Sequence, residues 1–120
     1  MDETERKDGV PPAVAETPKV TLCALQTPRL SLTIEAYLDD DGLVLAEQDL
    51  GRAVEETWPS SEYECWLRVP TVGAEQLARH WGTDDLLTYL SLNVTGSTAL
   101  TTVRETCREL GIDAEFSNRC

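Results

Sequence analysis

The chain has 120 residues, 41% hydrophobic and 27% charged, with 22 Asp and Glu against 10 Lys and Arg for a formal charge of -12. The length sets an expectation of one domain with one modest core. The charge excludes a phosphate backbone or an anionic lipid surface as an expected partner and favours basic proteins and cations instead.

No apolar run approaches the roughly 18 residues of a membrane span. The opening residues, 1–8, carry Asp2, Glu3, Glu5, Arg6, Lys7 and Asp8. They lack the basic-then-apolar order of a signal peptide, so the expected location is the cytoplasm. Residues 1–19 hold Pro11, Pro12 and Pro18 with little to bury, and read as a disordered tail ahead of one domain over 20–120. Residues 20–25 are β-prone and closed off by Pro28, as an edge strand would be. Over 30–38, Leu30, Leu32, Ile34, Ala36 and Leu38 alternate with Ser31, Thr33, Glu35 and Tyr37, the period of a half-buried strand. Asp39, Asp40, Asp41 and Gly42 then make a turn in which Gly42 takes positive φ, and 43–48 returns as the partner strand.

Residues 51–58 fit either a helical turn or a strand continuation. A third strand over 62–69 sets Tyr63, Cys65, Leu67 and Val69 on one face and Glu62, Glu64, Trp66 and Arg68 on the other, with Pro70 ending it. The pattern then turns helical. Thr71 is expected to cap a helix that Gly82 stops, Thr83 a second with the stripe Leu86, Leu87, Leu90 and Val94, and Ser97 a third with Leu100, Val103, Cys107 and Leu110. Gly111 fits the position after a helix end, and Ile112, Ala114 and Phe116 alternate as a last strand. These elements predict an α+β, two-layer domain: a mainly antiparallel sheet of 4–5 strands with two or three helices on one face.

Chemistry-bearing motifs are sparse. Cys23, Cys65, Cys107 and Cys120 form no C-x-x-C, and Cys65 and Cys107 fall on apolar faces as reduced core thiols. The single histidine, His80, sits beside Trp81 at a helix end and in no catalytic motif. Asp39, Asp40 and Asp41 lack the full spacing of a calcium loop. Asn93, Val94 and Thr95 match a glycosylation sequon, which has meaning only in a secreted chain. No catalytic residue, metal or cofactor is expected.

The densest feature lies between residues 55 and 66: Glu55, Glu56, Glu62 and Glu64 with Trp58, Tyr63 and Trp66. Aromatic anchors and steering carboxylates suit a surface for a basic protein. The candidate partner-binding residues are therefore Glu55, Glu56, Trp58, Glu62, Glu64 and Trp66. The competing reading packs Trp58 and Trp66 under helices or over a sheet edge.

The block Gly51-x-x-Val54-Glu55-Glu56-x-Trp58-x-x-Ser61-Glu62-Tyr63-Glu64-x-Trp66-Leu67-x-Val69 resembles one in small, uncharacterised bacterial proteins. There too a hairpin precedes it, and helices and a short terminal strand follow. The resemblance spans residues 30–117 and implies a bacterial α+β domain with no assigned activity. No functional residue carries over from it.

The expected function is non-enzymatic: an acidic domain, immunity- or antitoxin-like, that binds a basic partner. An acidic surface mimicking DNA also fits the charge. One alternative is a small hydrolase or metal-dependent enzyme using Glu62, Glu64 and His80, which must then converge. Another is a structural domain of a salt-adapted cell, since lysine occurs only at positions 7 and 19 while arginine occurs eight times. Sequence leaves the oligomeric state open.

Overall fold

The computed structural model describes residues 18–51 and 62–119. Five strands form one antiparallel sheet in sequence order: β1 (Lys19–Gln26), β2 (Ser31–Asp39), β3 (Gly42–Leu50), β4 (Glu62–Pro70) and β5 (Glu115–Arg119). Three helices stand between β4 and β5 in the chain: α1 (Thr71–Trp81), α2 (Leu86–Asn93) and α3 (Ala99–Leu110). The result is the two-layer α+β arrangement that the alternation predicts. β1 and β5 are the edges. The expected tail lies outside the described residues except for Pro18 and Lys19, and Lys19 already belongs to β1. The ambiguous stretch 51–58 is described only at Gly51.

Local chemistry sets the connections. Thr27 Oγ1 accepts the amides of Arg29 and Leu30 at 3.2 and 3.0 Å, closing the turn from β1 to β2. Asp39 Oδ1 accepts the Asp41 amide at 2.8 Å. Gly42 then restarts the sheet at φ 133, where a Cβ would stand 2.0 Å from the Val69 carbonyl oxygen. Only glycine meets both demands.

The period of two directs Leu32, Ile34 and Ala36 of β2, Leu43 and Leu45 of β3, and Cys65, Leu67 and Val69 of β4 toward the helices, where all are buried. Leu77, Leu90, Val103 and Cys107 meet them from α1, α2 and α3. Each fully buried leucine contributes about 2–3 kcal/mol relative to exposure. Trp81 stacks on Tyr89 at 5.0 Å between ring centroids, joining α1 to α2. The Arg104 guanidinium lies 4.0 Å over the Phe116 ring and joins α3 to β5.

The expected caps are displaced. Pro70, not Thr71, precedes α1, with no side-chain bond to a helix amide. Asp85, not Thr83, caps α2, accepting the Thr88 amide at 3.2 Å and its hydroxyl at 2.8 Å. Thr83 instead accepts the Asp85 amide and so orients that cap. Thr98, not Ser97, precedes α3, again without a side-chain bond. The last strand begins at Glu115 rather than Ile112, because Ile112 is buried against the helix layer and bonds back to the Cys107 carbonyl. Gly82 and Gly111 end α1 and α3 in the left-handed region, as expected. Cys23, Cys65 and Cys107 are buried free thiols. No helix among the described residues is long and apolar enough to cross a membrane.

Candidate functional site

The face of the sheet turned away from the helices is built by the alternate residues of all five strands. Register aligns them in rows. One row runs Glu35, Ala46, Trp66, Ser117, and the next runs Thr33, Gln48, Glu64, Arg119. A third runs Tyr37, Val44, Arg68, Glu115. Val44 is almost fully buried although it lies on this face, because the larger Tyr37 and Arg68 flank it. Ala46 is the small residue among large ones. Above it opens a depression of about 150 Å³ lined by Thr33, Glu35, Glu47, Gln48, Glu64 and Trp66.

Its charges are partly matched within the chain. Glu64 Oε1 pairs with Arg119, and Gln48 donates to Glu64 Oε2 at 3.4 Å and to Glu62 Oε2 at 3.1 Å. Glu64 is thus the sequestered partner, with its side chain 20% exposed against 72% for Arg119. Lys19 meets Glu35 at 3.4 Å, and Arg68 meets Asp39 at 3.0 Å. The Asp41 amide and Arg68 hold the Asp39 carboxyl below its ordinary range. Exposed pairs of this kind are weak and exchange readily with other charges.

Of the expected binding residues, Glu62, Glu64 and Trp66 come together on this face. Trp66 is half-buried, and the Arg119 guanidinium lies 5.8 Å from its ring centroid. Glu55, Glu56 and Trp58 lie outside the described residues. His80 stands on α1, across the sheet from Glu62 and Glu64, so the three do not share a pocket. No group of three or more His, Cys, Asp or Glu among the described residues is arranged to hold a metal ion.

Sequence reasoning missed a second group, on the helix side. The row of β3 that begins with Leu43 and Leu45 continues with Glu47 and Asp49. Glu47 pairs across the sheet with Ile34 and Cys65, and Asp49 with Leu32 and Tyr63. Burial, with the Asp49 charge added, pushes the Glu47 carboxyl up to about 7, and burial raises Asp49 as well. The two share a hydrogen bond, while Oδ1 of Asp49 is buried without a partner. Two carboxyls so close hold one proton between them near neutral pH. Burial, then the Glu47 charge, pushes the Cys65 thiol to about 11. Burial alone does the same at Cys107, so both thiols stay protonated and unreactive. The available signal was the phase of Leu43 and Leu45 extended by two steps. Val44, apolar as well, hid that phase.

Compared with known proteins, this chain matches no family model, no curated protein and no solved structure.

Proposed function

We propose that this chain is a non-enzymatic binding domain that docks a basic protein on the open face of its sheet. The supporting observation is the depression over Ala46, walled by Trp66 and flanked by Glu35 and Glu64. Half-buried aromatic surface supplies contact area, and the surrounding carboxylates supply steering. A cytoplasmic, immunity- or antitoxin-like role suits this chemistry, with the carboxylates meeting a cationic site on the partner.

Affinity capture from the source lysate tests the reading, with the full chain compared against a Glu62→Lys, Glu64→Lys variant whose fold is verified by circular dichroism. The expected result is a basic protein retained by the native chain, released by added salt and absent from the variant. The same proteins on both baits would place the contact elsewhere.

A further inference from the structure

Resting on the binding reading above, we infer that the depression over Ala46 receives a single arginine side chain of the partner, in preference to lysine. Glu35 and Trp66 flank Ala46 on either side, one strand spacing each, so their backbones stand about 10 Å apart. The methyl group of Ala46 leaves that gap open, and the resulting 150 Å³ suits one flat group with the end of its alkyl stem. A planar guanidinium entering there lies against the Trp66 ring and donates in two directions, to Glu35 and to Glu64. An ammonium, a compact and strongly hydrated charge, does neither as well.

The chain itself supplies a precedent. Arg119, on edge strand β5, places its guanidinium on Glu64 and near Trp66 from the opposite side. At 5.8 Å its ring contact is close to the outer limit of about 6 Å for such an attraction. Arg104 on Phe116, at 4.0 Å, marks how much closer a seated guanidinium comes. Arg119 is thus an internal competitor for Glu64, closely hydrogen-bonded to it but solvent-exposed and only distantly placed over Trp66, and the incoming arginine displaces it from that carboxylate. Lys19 on Glu35, at 3.4 Å with the lysine exposed and the glutamate half-buried, yields in the same way.

The test uses the full chain and three short peptides identical except at one position, which carries arginine, lysine or uncharged citrulline. Binding is followed by amide and indole chemical shifts. The arginine peptide is expected to bind about five-fold tighter than its lysine twin, with shifts centred on Glu35, Ala46 and the Trp66 indole. Ala46→Leu fills the depression without changing charge and is expected to weaken arginine binding about ten-fold, removing the preference over lysine. Arg119→Ala is expected to tighten binding two- to three-fold, on the order of the coupling in an exposed ion pair. If Ala46→Leu unfolds, Glu35→Gln replaces it, with a loss of arginine preference expected. Equal affinity for arginine and lysine, or native affinity in the filled variant, overturns the arginine assignment and leaves the binding face standing. No shift on the open face with either cationic peptide overturns the binding reading itself.

Discussion

Replacing Glu47 by glutamine is expected to stabilise the protein at alkaline pH and to flatten its pH dependence. In the unfolded chain Glu47 releases its proton near 4.5, and in the fold it keeps it to about 7. Between those values the folded state binds more protons than the unfolded state. Stability therefore falls as pH rises through that window and levels off above 7. Full transmission of the shift would amount to about 3 kcal/mol, and solvent access to this half-buried pair reduces it to about 1–2 kcal/mol. For a domain of this size that is a difference of roughly 5–10 °C in melting temperature. Glutamine preserves shape and can still donate to Asp49, so it removes the ionisation and little else. Asp49 remains half-buried, and burial still raises its carboxyl. Urea unfolding at pH 5, 6, 7 and 8 reads the effect. The native chain should lose stability across the series, while Glu47→Gln should match it at pH 5 and exceed it at pH 8. Parallel curves for the two proteins would refute the shared-proton account. At the acid end the sign reverses. Asp39 and Asp85 titrate below their ordinary value of 3.8 because each accepts hydrogen bonds as a carboxylate, so their contribution is lost as pH falls through that region.

Gly73→Ala should destabilise α1 despite alanine's higher helix propensity. The new Cβ would stand 2.5 Å from Ile112 Cγ2 and 3.0 Å from Val69 Cγ1, so overpacking of about 1–3 kcal/mol outweighs the gain of about 1 kcal/mol in propensity. A raised urea midpoint would mean that Ile112 yields freely. The charge of -12 should make the melting temperature rise with salt, as the screening length drops from about 30 Å at about 0.01 M to about 3 Å at about 1 M. A melting curve indifferent to salt would show that self-repulsion is already balanced by pairs such as Arg68 with Asp39.

Much of this architecture follows from chain-local physics. Alternation in β2 and β4 assigns each residue a face, and Gly42, Gly82 and Gly111 stand where the backbone turns left-handed. That is why the hairpin, the facing of Glu64 and Trp66, and the helical stripes could be read from residue order. Helix starts could not. Thr71, Thr83 and Ser97 all carry capping hydroxyls, and the choice of Pro70, Asp85 and Thr98 depends on how each loop leaves the core. Packing alone reveals the depression, because it needs Glu35, Ala46 and Trp66 side by side, from three strands as far as 31 positions apart in sequence. For Glu47 and Asp49 the phase of Leu43 and Leu45 gives the face but not the neighbours. Only the sheet's register sets them beside Ile34, Leu32, Cys65 and Tyr63, where two adjacent acids become one shared proton rather than two surface charges.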